Sequence, residues 1–397
     1  MNLTTLDILR CPFCGCRPTC ANAPDDATIR YATLVCECSE YPLIDGIPFF
    51  QQDYSGAEAL EHLAQGAPEA ALTTLLGLDE PDDLRAFLAD ENATYRDGLA
   101  LLAPDDEGPY FLSRLADPTF LAAETVVRAV GGEMAAPAQR AIDICGGSGH
   151  LTRVLRQMPF GEVWLADTDF WKLWLARRFI APAARMICCD ANNPLPFAPE
   201  SFALAVCSDA FHYVWSKRLL AEEMARLTGE DGAVLLTHAH NSRRDNYSAG
   251  MPLTPAAYRN LWPARETRVF GDSALLDSVC AGQGPDLTAI NSDEELDGES
   301  SLTLLATNRA ELFQAYAPPA PPANNGVWRL NPLYEATAEG AQVHLRLSFP
   351  SPEYAAEYAA CRRYLPESLT VSAAALSAGA ADLIAQRVLL EMPERYL

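Results

Sequence analysis

AIDICGGSG, from Ala141 to Gly149, joins an apolar run to a glycine-rich turn, and the helix-like GHLTRVLRQM (149–158) follows directly. Glycine at 147 and 149 lets the chain turn tightly and lets backbone approach a ligand at a strand-to-helix crossing. Reading outward, further strand-like runs stand at EVWLAD (162–167), ARMICCD (184–190), FALAVCS (202–208), GAVLLTH (232–238) and SLTLLATN (301–308). The helix-like DFWKLWLARRFI and SKRLLAEEMARL lie between them, and Trp171 and Trp174 of the first fall at helical spacing, as core residues do. Alternation of this kind predicts an α/β fold around a parallel sheet covered on both faces. Asp167 and Asp190 close the second and third runs, so two acids share the sheet edge with the glycine turn. A carboxylate about twenty residues beyond such a turn is placed to accept hydrogen bonds from ribose hydroxyls.

AIDICGGSG, VWLADTDFWKLWLA, CCDANNPLPFAPESFALAVCSDAFHYV and RLLAEEMARLTGEDGAVLLTH resemble the successive motifs of class I methyltransferases over roughly residues 139–240. The resemblance implies a Rossmann-like seven-stranded core and S-adenosylmethionine as cofactor. It gives Gly147 and Gly149 the methionine portion, Asp167 the ribose and Asp190 the adenine. Asp143, Cys145, Thr168, Ala191 and Ser208, at the same strand ends, complete the expected cofactor contacts. Asp167 is preferred to Asp169 because Leu173 and Ala176 follow it at the family's spacing. Cys145 departs from the pattern, standing where the family often has its first glycine, and Ala203 replaces a common aspartate.

Near the N-terminus, Cys11, Cys14, Cys16, Cys20, Cys36 and Cys38 fall within 28 residues, and YPLIDGIPFF (41–50) follows with a turn at Gly46. Two close thiolate pairs separated by a hairpin make a tetrahedral zinc site, which can hold together a unit too small for its own core. Cys11, Cys14, Cys36 and Cys38 are the expected ligands. The second pair departs from the usual two-residue spacing, so Cys16 and Cys20 stand as alternatives to Cys38. LDILRCPFC with YPLIDGIP resembles the zinc-ribbon family that includes the activator subunit of transfer-RNA and protein methyltransferases.

The expected organisation is a zinc ribbon at 1–50, an acidic helical connector or lid at 51–138, the methyltransferase core at 139–310 and a C-terminal α+β accessory unit at 311–397. That last unit opens on the Pro-rich AYAPPAPPANN (315–325). It continues with a hairpin from VWRLNPLYEA and VHLRLSFP, then two helices ending in QRVLLEMPERYL.

Composition bounds the partners. The 397 residues are 49% hydrophobic and 21% charged, as in globular chains. Lys and Arg total 29 against 53 Asp and Glu, and a net charge of -24 opposes a phosphate backbone, so nucleic acid is disfavoured and a small-molecule acceptor favoured. No apolar run reaches the roughly 18 residues of a membrane span. The start MNLTTLDILRCPFC lacks a secretory pattern, and a cytoplasmic location is expected for a chain with twelve cysteines.

Methyl transfer from a sulfonium needs chiefly a positioned acceptor and, for a hydroxyl, a proton acceptor. The fourth run ends in CSDAFHYV and the fifth in THAHNSRRDNY, bringing Ser208, Asp209, His212, His238, His240 and Tyr247 to one edge. His212 or His240 is expected to serve an acceptor hydroxyl as proton acceptor or positioning group, with the loop from Ala239 to Tyr247 as pocket wall. Two other readings stand beside methyl transfer to a small acceptor. One is a zinc-ribbon-assisted modifier or adaptor acting on RNA or protein; the other is a fold that binds the cofactor without transferring methyl.

Overall fold

The computed structural model describes residues 1–397 apart from 2, 21–27, 106, 249 and 320–325. Most of the proline-rich tract therefore lies outside the described residues. The N-terminal module is a four-stranded antiparallel sheet of β1 (Thr19–Cys20), β2 (Ala32–Val35), β3 (Glu40–Ile44) and β4 (Ile47–Pro48). Asp45 and Gly46 join β3 to β4 with φ of 46° and 75°, the left-handed pair that an Asp-Gly hairpin turn needs. The buried Asp45 carboxylate accepts the indole N–H of Trp174 at 3.1 Å and pairs with Arg30, which ties the module to the rest of the chain. Backbone bridges from Leu9 to Phe197 and from Phe49 to Cys188 do the same.

The acidic connector folds as α1 (Tyr54–Ala64), α2 (Pro68–Leu76), α3 (Pro81–Ala89) and α4 (Tyr95–Leu102), followed by α5 (Glu107–Ser113) and α6 (Pro118–Met134). Its starts are written locally. Asp53 and Asp117 cap α1 and α6 with their carboxylates, Thr94 and Asp97 form a capping box, and proline opens α2, α3 and α6.

The central sheet contains β5 (Arg140–Ile144), β6 (Glu162–Asp167), β7 (Arg185–Cys188), β8 (Leu204–Ser208), β9 (Ala233–His240), β10 (Glu266–Gly271) and β11 (Ser301–Thr307). Their order is β10-β11-β9-β8-β5-β6-β7. The pairs from β7 through β9 are parallel, while β11 runs antiparallel to both β9 and β10. Among the helices on its faces are α7 (His150–Arg156), α8 (Phe170–Leu175) and α9 (Lys217–Thr228). β6 and β7 build outward on one side of β5, and the chain then returns to β8 on the other. The crevice therefore opens at the ends of β5 and β8, where the order reverses. Trp174 is fully buried, as its spacing implies. β10 is not among the strand-like runs read from the sequence.

Beyond the central sheet, helices α10 (Pro255–Arg259), α11 (Asp272–Cys280), α12 (Asp293–Leu296) and α13 (Pro352–Glu357) occur, along with strands β12 (Val327–Leu330), β13 (Tyr334–Glu339), β14 (Gln342–Leu347), β15 (Ser368–Ser372) and β16 (Leu389–Met392). Two expectations need correction here. The hairpin is β13 with β14, whereas β12 pairs with β16. The segment expected to end a helix is thus a strand, because Val388 to Met392 is buried along its length and supplies the ladder that β12 lacks locally. The last residues fold back, and the buried Tyr396 hydroxyl meets the His150 ring at 2.9 Å and the carbonyls of Phe111 and Leu112.

Candidate active site

A cavity of about 720 Å³ lies at the C-terminal ends of β5, β6 and β8. Its first wall is the glycine loop. Cys145, Gly147 and Gly149 all take positive φ, at 56°, 57° and 84°. Cys145 thus adopts the left-handed conformation that glycine favours, at a cost of about 1–3 kcal/mol. A Cβ on Gly146 would lie 2.5 Å from Asp143 and Leu165. Sequence reading assigned no role to Gly146, and its constraint comes from packing instead of backbone angle.

The acids follow. Asp143, inside β5, is fully buried; Thr152 donates to its Oδ2 at 2.7 Å, and its Oδ1 has no partner among the described residues. Burial pushes this carboxyl up to about 7, against the pull of Thr152. Asp167 accepts the N–H of Gly147 at 2.8 Å on Oδ2 and that of Asp169 at 3.0 Å on Oδ1. Burial raises its pKa, partly offset by Lys172. Asp190 accepts from the backbone and side-chain nitrogens of Asn192. The Ser208 hydroxyl is buried and also without a partner among the described residues. Asp143, Cys145, Gly147, Asp167, Thr168, Asp190, Ala191 and Ser208 all line the cavity, whereas Gly149 starts α7 just behind the loop.

Those residues suit S-adenosylmethionine. The orphaned Asp143 Oδ1 and Ser208 hydroxyl are polar atoms awaiting a partner, and Asp167 and Asp190 add carboxylates to the same wall that can accept from hydroxyl and amino donors. Asp167 and Asp190 would hold the nucleoside, and the glycine loop would hold the methionine portion.

The other end of the cavity has a different character. Tyr110, Phe111, Tyr213, Tyr354 and Tyr358 line it, and Arg114, Lys172, Asp209, Glu353 and Glu357 are among its charged groups. The C-terminal unit supplies this wall from Pro350 to Tyr358, including α13. The sequence names none of these residues, since nothing in the local pattern around SPEYAAEYAA marks it as facing a site.

The histidines part company. His212 and His240 are buried and stack at 3.6 Å, with ring planes 7° apart. Burial first, then neighbouring histidine charge, lowers their pKa values to about 3 and about 4. Neither is among the cavity-lining residues. The expected wall from Ala239 to Tyr247 is not formed either, and only Ser248 beyond it lines the cavity. The physical reason is that β9 continues to His240 and pairs with β11, while the buried Asn241 amide donates to the carbonyls of Leu296 and Glu299, holding the loop away.

His238 and Asp209 occupy the more reactive setting. Both have positive φ, at 52° and 54°. Burial opposes protonation of His238, but Asp209 and Asp272 outweigh it and raise the pKa. Burial works against the Asp209 carboxylate, and His238 and Arg114 outweigh it to hold that pKa low.

In the N-terminal module, the sulfurs of Cys11, Cys14, Cys36 and Cys38 all lie within 4.8 Å of one another. Contacts of 3.6 Å between Cys11 and Cys38 and of 3.9 Å between Cys14 and Cys36 span the group. Cys16 and Cys20 are outside it. Burial disfavours the Cys11 thiolate, yet the Tyr41 hydroxyl and the backbone at Cys14 and Phe13 bring its pKa down to about 6. Four thiols at one point, one of them readily ionised, suit a tetrahedral zinc ion.

Residues 141–232 match the family described as methyltransferase domain. No curated protein matches the chain. Similar solved structures include geranyl diphosphate C-methyltransferase from Streptomyces coelicolor, in complex with Mg2+, geranyl diphosphate and S-adenosyl-L-homocysteine. It is 16% identical over 56% of this chain and 86% of that one, with a TM-score of 0.35. An S-adenosylmethionine dependent methyltransferase from Mesorhizobium loti is 18% identical over 42% of this chain and 90% of that one, with a TM-score of 0.34. A chain of the complex containing the Haloferax volcanii Trm112 methyltransferase activator is 16% identical over 54% of this chain and 98% of that one, with a TM-score of 0.39. Each likeness is distant and partial. A methyltransferase-domain sequence on a sheet of this order, with its acids at this edge, belongs to an enzyme that takes its methyl group from S-adenosylmethionine.

Proposed function

We propose that the enzyme methylates a small-molecule hydroxyl, amine or carbon bound between the cofactor edge and the aromatic wall from the C-terminal unit. The observation that carries this reading is the continuity of one cavity from Asp167 and Asp190 to Tyr110, Tyr354 and Tyr358. Its volume of about 720 Å³ falls within the range of small-ligand sites, roughly 300–1,000 Å³. S-adenosylmethionine supplies an electrophilic methyl when bound. The chain's own residues hold the nucleoside through Asp167 and Asp190, exclude water with Tyr354 and Tyr358, and orient the acceptor against Asp209 and Arg114.

Any proton acceptor must reach the acceptor atom. Asp209 lines the cavity, with His238 beside it, and this favours that pair over His212 and His240. The division at 1–50, 51–138, 139–310 and 311–397 belongs to the same proposal, as does zinc held by Cys11, Cys14, Cys36 and Cys38. A cytoplasmic setting belongs to the same proposal, since clustered cysteines serve as metal ligands where thiols are kept reduced. Among the described residues no helix is long and apolar enough to cross a membrane.

One observation favours a larger acceptor as a second reading. Tyr213 lines the cavity and is half exposed, and Trp215 beside it is 74% exposed, so an aromatic rim could receive a protein segment. Turnover measured with an array of small hydroxyl, amine and acidic-carbon compounds tests the choice. Methylation of one of them is expected; methylation of proteins alone would overturn the small-molecule reading.

A further inference from the structure

Beside the cavity, Asp209 after β8 and His238 and His240 on β9 each offer one donor atom, and the three atoms lie within 4.8 Å of one another. The surroundings orient two of these donors. The Nδ1–H of His238 donates to Asp272 Oδ2 at 2.8 Å, so that in the neutral ring Nε2 holds the lone pair, 3.5 Å from the Ser301 hydroxyl and 3.9 Å from Asp209 Oδ1. Thr303 in turn donates to the other Asp272 oxygen at 2.7 Å. A carboxylate behind an imidazole is the usual arrangement that fixes a metal-binding histidine. Asp209 Oδ2 is occupied by the Tyr110 hydroxyl at 3.1 Å and by Arg114 at 3.3 Å, so Oδ1 is the oxygen left to act. The His240 ring makes no hydrogen bond among the described residues; it stacks on His212.

Charge points the same way. Asp272, His238, Asp209, Arg114 and Asp117 form one chain of contacts, which holds three carboxylates and a single guanidinium. With neutral imidazoles the group lacks two positive charges. Donors bound at about 2.0–2.2 Å from one ion stand about 3–4 Å apart, so the 3.9 Å between His238 and Asp209 already fits, and side-chain shifts below about 1 Å close the rest.

We propose that Asp209, His238 and His240 bind a divalent transition-metal ion, with Asp272 as the residue that orients His238. Two imidazoles and one carboxylate suit zinc or cobalt(II) better than magnesium. Because Asp209 also lines the cavity, such an ion would hold an acceptor oxygen and lower its pKa. This last role rests on the reading of the cavity as the acceptor site.

The test is zinc titration of the full chain, followed by metal analysis, with cobalt(II) as a spectroscopic probe. About two zinc ions per chain are expected, one at the cysteines and one here, and the second cobalt ion should lack thiolate charge-transfer absorption. His238→Ala and Asp209→Asn should each remove the second ion and keep the first. Asp272→Asn should weaken the second by roughly 10- to 100-fold. Should His238→Ala fail to fold, the two aspartate variants carry the test. A wild type that takes up metal only at the cysteines would overturn the proposal, as would retention of the second ion in the variants. S-adenosylmethionine binding and acceptor turnover are read on the same samples. Turnover without a second ion removes the metal site alone, and a second ion without turnover on any small acceptor removes the acceptor reading alone.

Discussion

In the cysteine module four sulfurs meet from within 28 residues of chain, whereas the crevice gathers side chains from Tyr110 to Tyr358 across the sheet. The module has little apolar core of its own. Its strands are two to five residues long, and its firmest anchors, Asp45 on Trp174 and Leu9 on Phe197, reach into the larger body. The crevice is the reverse case, with Asp143, Asp167 and Ser208 held in strands whose neighbours are buried and the rest of its lining drawn from loops and helices. A site of the first kind can be broken by removing one bond-forming atom type. A site of the second kind fails in graded steps, because the sheet persists when one carboxylate is lost.

The largest effect should therefore come from the module. Cys14→Ser with Cys36→Ser is expected to remove the cysteine-bound zinc, lowering the metal content by about one equivalent, and to unfold the module, since structural zinc contributes on the order of 10 kcal/mol in small domains. Metal analysis and hydrogen exchange over residues 1–50 check this. Retention of S-adenosylmethionine binding in that variant would sharpen the contrast, and its loss would break it by showing that the two regions fold as one.

Within the crevice, Asp167→Ala should weaken S-adenosylmethionine binding by about 10- to 100-fold, equivalent to roughly 1.5–3 kcal/mol for a charge-assisted acceptor. Calorimetry decides it. Unchanged affinity would remove Asp167 from the ribose position.

Acid should loosen the crevice at a position the module does not contain. His150 is buried against Tyr396 and Ser148, and burial, with help from Arg114 and Arg153, lowers its pKa to about 3. The unfolded chain, with an imidazole near pH 6.5, then binds a proton that the folded chain refuses. Stability contributed by neutral His150 is full above pH 6.5 and falls as pH drops towards 3, by about 2 kcal/mol between pH 7 and pH 5. Urea midpoints at the two pH values measure it, and His150→Gln should flatten that part of the slope.

The smallest effect separates the two acceptor readings. Trp215→Ala, at an exposed position outside the cavity wall, should change stability by no more than about 0.5 kcal/mol. It should leave turnover of a small acceptor unchanged. A selective loss with a protein acceptor would instead favour the second reading.

What could be read in the chain follows from the range over which each feature is encoded. The run AIDICGGSG, the acids Asp167 and Asp190 and the alternation of strands and helices are local patterns, and the sheet order obeys them because a parallel sheet must bury both faces. The grouping of Cys11, Cys14, Cys36 and Cys38 was likewise legible, although only the fold separates Cys38 from Cys16 and Cys20 as its fourth member. Glycine at 146 is a middle case, visible as a residue but explained only by the side chains of Asp143 and Leu165 against it.

Sequence alone, then, determined the α/β class, the edge at which the cofactor is expected and the cysteine cluster, because hydrophobic period, glycine backbone freedom and short ligand spacing act over a few residues. Tertiary structure alone decided that β16 pairs with β12 and that residues 350–358 wall the cavity. It also stacked His212 on His240 outside the cavity lining and aligned Asp272, His238 and Asp209. Those contacts join residues tens to hundreds of positions apart, and their geometry is set by how strands and helices pack, which no local pattern of residues records.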